Sequence, residues 1–304
     1  MVPLAIVSAV GMVVDERVLV GSPIWFKPLK FSVSFAVYAV ALAWMLSLLT
    51  RGRRTGRWAG IAIVAAGTAE MAIITGQVLR GKRSHFNVET PFDRALFIAM
   101  GVTIVVLWTG TLLIALLLLR ERLTDRAAAW AVRLGAVIAV VGLALGALMV
   151  LPTPEQRAAA GAGVQTVVGA HSVGLPDGGP SMPVTGWSTV GGDLRIPHFI
   201  GMHALQALPL FLLGLTALST RVPRLRSERV RLRLVLVASG SYAAVLALVT
   251  WQALRGQPLI HPDAATLWAL ALIIAATAAA SRTALRASPA APVALPIDGK
   301  EPVS

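Results

Sequence analysis

The feature of this sequence that most limits its fold is a series of apolar blocks, each about as long as a membrane-spanning helix. A helix needs about 20 apolar residues to cross the hydrocarbon core of a bilayer. Hydrophobic residues make up 56% of the chain, above the roughly 45–50% usual in soluble domains. The sequence therefore predicts an all-α, polytopic transmembrane helix bundle of about eight spans, near 2–20, 30–50, 58–80, 95–119, 130–151, 196–218, 231–254 and 264–282.

The first block carries the weakest signal of a crossing helix. Only Val2 to Val14 is free of charge before Asp15, Glu16 and Arg17. A secretory signal peptide would begin with basic residues, and Met1 to Pro3 contains none. We therefore expect a short, tilted helix, and seven spans remain if it does not cross.

The long link at 152–195 interrupts an otherwise regular pattern of helices and short connections. It holds 44 residues, whereas connections without structure rarely exceed about 12–15 residues in a compact domain. It carries few charges and contains the turn signals "PDGGP" and "VGGD". We predict a folded, Gly-rich lid within one transmembrane domain at 1–287, with a flexible linker as the alternative. The Pro- and Ala-rich segment 288–304 is predicted to be a disordered cytoplasmic tail.

The distribution of basic residues predicts the orientation. Links 51–57, 120–133 and 219–233, together with the C-terminal tail, hold 17 of the 27 Lys and Arg residues. Basic links tend to face the cytoplasm. This rule places both termini on the cytoplasmic side of a bacterial-type plasma membrane. The net charge of +13 does not indicate nucleic-acid binding, because the basic residues lie in short links between apolar blocks. The expected partners are the lipid bilayer and a small-molecule or lipid substrate, with no nucleic acid.

The histidines cluster on the side of the membrane that this orientation assigns to the exterior. All of them lie in or beside the links predicted to be extracytoplasmic: His85, His171, His198, His203 and His261. The chain contains no cysteine, which excludes disulfides, thiolate ligands and cysteine nucleophiles. We therefore expect the functional site to face the extracytoplasmic side.

Glu70 lies about halfway along the block "WAGIAIVAAGTAEMAIITGQVLR". An ionisable residue at that depth is costly and predicts a functional role. Gln77 is seven residues later, about 20° away around a helix, so both side chains share one face. Burial without a cation favours the protonated carboxyl, which can pass on a proton. Alternatively, Glu70 holds a neighbouring helix by hydrogen bonding, with partners among Ser34, Tyr38, Ser241 and Tyr242.

The stretch "RIPHFIGMHALQALPLF" begins with Pro197 in a first helical turn and places polar groups in an apolar block. His198 and His203 are five residues apart, about 140° around a helix, so a regular helix would not direct both at one ion. His203 instead shares a face with Gln206. Three interpretations stay open: a metal or haem site, the path of a transporter, or histidines that lie at the lipid interface.

Two shorter segments at the same side add polar groups. In "SHFNVETPFDR", His85 and Asn87 are close enough in sequence to join the site, while Thr90 is predicted to cap the next helix and Pro91 to lie in its first turn. In "WFKPLKF", Lys27 and Lys30 are typical of an interface belt or a headgroup contact.

These patterns lead to one functional hypothesis with two alternatives. We predict an enzyme that acts on a lipid-soluble or periplasmic substrate through a histidine-bound metal ion or haem, with Glu70 as proton carrier. The alternatives are a proton-coupled transporter of a small molecule or ion that uses Glu70, and a non-catalytic accessory or sensor subunit. The predicted site has catalytic residues Glu70, Gln77 and His203, substrate contacts His85, Asn87, Asp193 and Gln206, and metal ligands His171, His198 and His203.

Overall fold

The computed structural model describes residues 1–163 and 165–286, and helices make up most of it. The helices are α1 (Val2–Val14), α2 (Phe26–Ser47), α3 (Arg53–Leu79), α4 (Pro91–Arg120), α5 (Arg126–Leu145), α6 (Pro154–Gly161), α7 (Arg195–Met202), α8 (Ala204–Leu218), α9 (Glu228–Leu254) and α10 (Ala264–Arg286). Two 3-10 turns, at Gly146–Val150 and Pro223–Arg226, follow α5 and precede α9. The predicted disordered tail lies outside the described residues.

The prediction of an all-α membrane bundle is confirmed. Six helices in the described part of the chain are long and apolar enough to cross a bilayer: α2, α3, α4, α5 with its 3-10 extension, α9 and α10. The predicted span at 196–218 is broken instead into α7 and α8, which meet at a bend of 46° and together make a seventh candidate. The prediction of about eight spans is not confirmed.

Helix α1 is the reason for the lower count. Its 13 residues extend about 20 Å, which is less than the roughly 30 Å of a hydrocarbon core. The helix ends before Asp15, which accepts hydrogen bonds from Arg17 and from the indole N–H of Trp25. Gly11 packs against the Trp25 ring, where a Cβ would overlap it. The prediction that both termini lie at the cytoplasmic face requires a first crossing and stays a prediction.

Local sequence signals set several helix ends. The backbone N–H of Asp93 donates to Thr90 Oγ1 at 3.1 Å and Pro91 lies in the first turn, so the predicted cap of α4 is confirmed. Asp125 caps α5 in the same way, through the N–H of Ala128 at 2.9 Å. Helices α2 to α5 and α9 nevertheless begin three to five residues before the predicted bounds, because hydropathy does not mark where capping residues start a helix. The predicted ends of α3, α4 and α9 and the predicted start of α10 agree with the structure to within one residue.

The bundle has two different ends. We call the end with links 15–25, 80–90, 151–194 and 255–263 the lid end, and the end with links 48–52, 121–125 and 219–227 the basic end. Contacts between links join the lid end: Asn87 pairs with Val167, and Lys30 Nζ donates to the carbonyl of Thr185 at 2.8 Å. The links that the alternation of the predicted spans places on one side therefore share one end of the bundle.

The long link, which we call the lid, forms short elements over the bundle. Helix α6 carries a capping box made by Thr153 and Gln156. Strands β3 (Ser172–Val173) and β4 (Gly192–Asp193) pair antiparallel, with Ser172 opposite Asp193. A second small hairpin, of strands β1 (Val18–Leu19) and β2 (Ser22–Pro23), connects α1 to α2. Turns and one strand pair therefore supply backbone hydrogen bonds within the described part of the lid.

The basic end is filled by apolar side chains. Met45 is 0% exposed and Leu118 is 2% exposed in a cluster that joins α2, α3, α4 and α5. The hydroxyls of Tyr38 and Thr111, 2.5 Å apart, mark the border between this cluster and the space under the lid. At the far end of the cluster, Glu121 accepts from the backbone N–H of Thr50 at 3.0 Å and ties two links together.

Candidate functional site

A cavity of about 600 Å³ lies under the lid, between helices α2, α4, α5 and α7. This volume falls within the roughly 300–1,000 Å³ of typical small-molecule sites. The deeper wall is apolar and aromatic, formed by Phe35, Tyr38, Ile104, Leu107, Trp108 and Leu143. The wall toward the lid is polar, with Lys27, Lys30, His85, His171, Arg195 and His198. The cavity therefore offers an apolar depth beneath a polar mouth.

His85 connects the cavity to the buried carboxyl of Glu70. Lys27 Nζ is 2.9 Å from His85 Nδ1, and His85 Nε2 is 3.4 Å from Glu70 Oε1. The other carboxyl oxygen of Glu70 accepts a hydrogen bond from Thr103 Oγ1 at 2.7 Å, and Glu70 is only 1% exposed. Lys27, His85 and Glu70 thus lie in series from the cavity into the bundle, and Glu70 Oε1 has no hydrogen-bond partner among the described residues.

The backbone next to His85 has an uncommon conformation. Phe86 has a φ of 65°, in the left-handed region that residues with a side chain rarely adopt. Its ring packs edge-on against His171, with centroids 4.9 Å apart, and against Phe97 at 5.9 Å. Such strain persists where the surroundings fix it, and here those contacts hold the loop that carries His85 against the cavity.

The electrostatics of the cavity favour a neutral His85. Burial, and to a smaller degree the positive charge of Lys27, lower the pKa of His85 well below its ordinary value. When Lys27 is an ammonium group, which only donates, Nδ1 is the acceptor in this pair. The ring proton is then on Nε2, the nitrogen that faces Glu70.

A second histidine in the cavity wall is paired with an acid. His171 Nδ1 is 3.1 Å from Asp177 Oδ2, and the backbone N–H of Ser172 donates to the same carboxylate at 2.9 Å. Burial opposes ionisation of Asp177, but the hydrogen bond from His171 and its other donors lower the pKa of Asp177 below its usual range. The pair fixes the proton on Nδ1 and leaves Nε2 of His171 as the basic nitrogen.

The predicted metal ligands do not form a metal site. His198 lines the cavity, but its Nδ1 bonds the carbonyl oxygen of Gly142 at 2.9 Å. His203 lies at the break between α7 and α8, stacked on Phe199 and outside the cavity wall. Nowhere in residues 1–163 and 165–286 do three His, Asp or Glu side chains converge to hold an ion. A haem needs only one or two axial ligands, so haem ligation by His171 or His198 stays a prediction.

Gln77 belongs to a buried network next to the cavity rather than to its wall. Its side-chain N–H donates to Asp93 Oδ1 at 2.9 Å, and its oxygen accepts from Arg80 at 2.6 Å. Asp93 also accepts from Arg80 at 2.7 Å and from the Thr90 hydroxyl at 2.7 Å. Both Glu70 and Gln77 are buried, as their shared face predicts, but Gln77 joins the end of α3 to the start of α4.

The remaining predicted substrate contacts also surround the cavity without lining it. Asn87 accepts from the backbone N–H of Glu89 at 3.1 Å and shapes the loop. Asp193 is fully buried and binds Arg195, whose Nη2 lies 2.6 Å from Asp193 Oδ2. Gln206 follows the break after α7, and its Oε1 is buried without a hydrogen-bond partner among the described residues. Of the predicted substrate contacts, only His85 lines the cavity.

Several residues of the site were not predicted from the sequence. Lys27 and Lys30, assigned to the lipid interface, line the cavity, and Thr103 is the hydrogen-bond partner of Glu70. The partners considered for Glu70 bond elsewhere: Tyr38 to Thr111, Ser241 to Thr277 and Tyr242 to the carbonyl of Ile200. A signal was present in the spacing of Lys30, Ser34 and Tyr38, which form a polar stripe with a period of four along α2.

No protein-family model, curated protein or solved structure matches this chain. A fold class by itself does not define a function, so the chemistry of the cavity is the guide to what the protein does.

Proposed function

We propose that this protein is a membrane enzyme that binds a lipid-soluble substrate under the lid and carries out acid–base chemistry on it. The observation that carries the proposal is the position of His85, whose ring contacts Lys27 on one side and faces Glu70 on the other. A catalytic proton carrier needs this kind of geometry, with a reservoir on one side and access to the substrate on the other.

The proton chain works without creating a charged histidine. Lys27 gives a proton to Nδ1 of His85 while Nε2 gives its proton to Glu70. One proton moves from Lys27 to Glu70, and His85 ends as the other neutral tautomer. The neutral Lys27 then accepts a proton from a substrate bound in the cavity, and the reverse sequence returns one.

The Asp177–His171 pair supplies a second basic group to the same cavity. Its free Nε2 is available to accept a proton from a substrate while Lys27 donates one. Acid–base enzymes characteristically hold two titratable groups in environments that separate their protonation states. The cavity holds two such groups, His85 beside a cation and His171 beside a carboxylate, and burial favours the neutral form of both.

The packing of the basic end supports an enzyme over a transporter. The cavity lies at the lid end, and beyond Tyr38 the bundle is filled by the apolar cluster around Met45 and Leu118. A transported solute or proton needs a path of polar groups or water across the whole bundle. The site is therefore accessible from one end, which suits a substrate that enters, reacts and leaves by the same route. The titratable groups in the cavity likewise favour chemistry over an accessory role.

The experiment is an untargeted search for the reaction. Purified protein in lipid nanodiscs is incubated with a bacterial lipid extract in deuterated water, and the lipids are followed by mass spectrometry. We expect at least one lipid species to gain deuterium or change mass. Glu70→Gln and His85→Gln should each slow this change about 10²–10⁴-fold, the usual contribution of a general acid–base group.

The matched control is Glu16→Gln, because Glu16 is an exposed acid at the same end that does not line the cavity. It should react at the wild-type rate. If no lipid changes, and protons instead cross sealed vesicles in a Glu70-dependent manner, the protein is a transporter. If His85→Gln reacts as fast as wild type, the proton chain is wrong. A visible spectrum and elemental analysis of the same preparation test the separate haem prediction.

A further inference from the structure

Basic side chains outnumber acidic ones around the cavity. Among the described residues, the wall contains one acid, Asp177, and five bases: Lys27, Lys30, Lys82, Arg83 and Arg195. Two of the bases are neutralised, since Arg195 pairs with Asp193 at 2.6 Å and Lys82 with Glu89 at 2.8 Å. Lys27, Lys30 and Arg83 have no carboxylate within 4.0 Å in the described part of the chain. The mouth of the cavity therefore has an excess of positive charge.

The Lys30 ammonium group is held in place by two contacts, and not all of its N–H donors are used in them. Its ammonium donates to the carbonyl of Thr185 in the lid at 2.8 Å and lies 4.1 Å from the centroid of the Phe26 ring. An ammonium group has three N–H donors, and only one is used in this contact. Lys27 is one turn away on the same face of α2 and uses one donor toward His85. The two lysines together present several N–H groups to the cavity.

The position of the lysines explains why they are not interface anchors. A lysine that anchors a helix extends its ammonium toward headgroups outside the protein. Here both lysines line the cavity, and Lys30 is fixed from above by the lid. Desolvated cations without a partner anion are costly, so an anionic ligand would be favoured at this position.

The apolar depth of the cavity begins next to these cations. Along α2, Lys27 and Tyr38 are separated by 11 residues, which corresponds to about 16 Å of helix. Apolar and aromatic side chains line that distance, among them Phe31, Phe35, Leu107 and Trp108. The shape is suited to an elongated apolar chain whose polar end remains at the mouth.

We propose that the cavity binds an amphiphile with an anionic headgroup, a carboxylate or a phosphate, held by Lys30 and Lys27. Its apolar chain lies along α2 toward Tyr38. This inference rests on the proposed function and names the substrate class of the same cavity. It also places the headgroup next to the Lys27–His85–Glu70 chain, where proton transfer to or from the ligand would occur.

The test uses a photoactivatable long-chain fatty acid and its methyl ester as probes. The full-length protein is placed in phosphatidylcholine nanodiscs, each probe is cross-linked by light, and the labelled peptides are identified by mass spectrometry. We expect the acid to label the lining segments of α2 and α4 about tenfold more than the ester, because only the acid makes a charge-assisted hydrogen bond. Equal labelling of these segments by acid and ester overturns the proposal.

Variants locate the headgroup. Lys30→Gln should reduce labelling by the acid to the level of the ester, and Lys30→Arg should retain it. The matched control is Arg94→Gln, which removes an exposed base at the same end that does not line the cavity. Competition by an alkyl phosphate and by an alkyl carboxylate of equal chain length shows which anion binds better. A folded Lys30→Gln protein that labels like wild type contradicts the proposed headgroup site.

The outcomes separate this inference from the proposed function. Glu70→Gln should lose lipid conversion and still favour the acid probe over the ester. If wild type shows no preference for the acid while Glu70-dependent conversion persists, the substrate class is wrong and the enzyme proposal stands. If the acid is preferred and no conversion occurs, the cavity binds an anionic amphiphile and the enzyme proposal fails.

Discussion

The two ends of this bundle are built from the same helices but differ in what they bury. The basic end encloses apolar side chains such as Met45 and Leu118. The lid end encloses Glu70 and Asp93, and leaves a cavity of about 600 Å³ beside them. Buried polar groups are costly unless hydrogen bonds satisfy them, and here Asp93 accepts from Gln77, Arg80 and Thr90 while Glu70 accepts from Thr103. The difference indicates that one end stabilises the bundle and the other holds the site.

The break between α7 and α8 helps to keep the lid end open. The two helices meet at 46° beside His203. Pro209 has no N–H to donate to Leu205, so the first turns of α8 are weakened where the bend occurs. Above the bend, α7 crosses α5 closely, because Gly142 and Gly201 face each other without side chains. A straight helix over 196–218 would not place His198 in the cavity wall.

The largest expected effect is a difference in the loss of stability between two Leu→Ala variants, one at each end of the bundle. Leu118→Ala removes a side chain that is 2% exposed in the apolar cluster, and should destabilise the protein by about 2 kcal/mol. This is the low end of the usual range, because lipid already solvates apolar groups when the helices separate. Leu143→Ala, in the half-buried cavity wall, should cost less than half as much, since the space beside it is already open.

Thermal unfolding of both variants in one detergent measures this difference. Equal losses of stability would show that the cavity wall is as tightly packed as the basic end, and would remove the distinction between the two ends.

The next effect concerns the crossing of α5 and α7. Gly142→Ala adds a Cβ that would overlap the backbone of Gly201, so we expect a loss of about 1–2 kcal/mol. The matched control is Gly101→Ala in α4, where nothing lies within 4 Å of the added Cβ. Alanine is favoured over glycine in a helix, so that control should be neutral or stabilised by up to about 1 kcal/mol. Thermal unfolding measures the stability of both variants. Equal changes in stability for Gly142→Ala and Gly101→Ala would contradict the close crossing of α5 and α7.

The smallest effect is the pH dependence that comes from His85. Its pKa in the folded protein lies well below the value of 6.5 expected when it is exposed. Between these two values the unfolded chain binds more protons than the folded protein, so stability falls as the pH decreases below about 6.5 and is unaffected above it. Each unit by which the pKa of folded His85 lies below the unfolded value lowers the free energy of unfolding by about 1.4 kcal/mol once the pH is below both values.

The measurement is the melting temperature of wild type and His85→Gln between about pH 8 and pH 5. The variant should lose less stability toward low pH than wild type. Part of the slope should remain, because burial also lowers the pKa of His171. Identical slopes would show that His85 is charged in the folded protein, contrary to its assigned neutral form.

Some features of this protein follow from the sequence alone. Hydropathy predicted an all-helical membrane bundle, and the alternation of the predicted spans grouped the links that share an end. The seven-residue spacing of Glu70 and Gln77 predicted that both are buried, and Thr90 was correctly predicted to cap α4. These features are local, because a helix period and a cap depend on residues within a few positions of each other.

The tertiary structure decided which polar groups meet. It paired His85 with Lys27 and Glu70, and directed Gln77 to Asp93 rather than into the cavity. It also broke one predicted span, left α1 too short to cross and turned Lys27 and Lys30 inward. Such contacts depend on how each helix is rotated and tilted against its neighbours, which side-chain packing between distant segments determines and a local pattern in the chain does not.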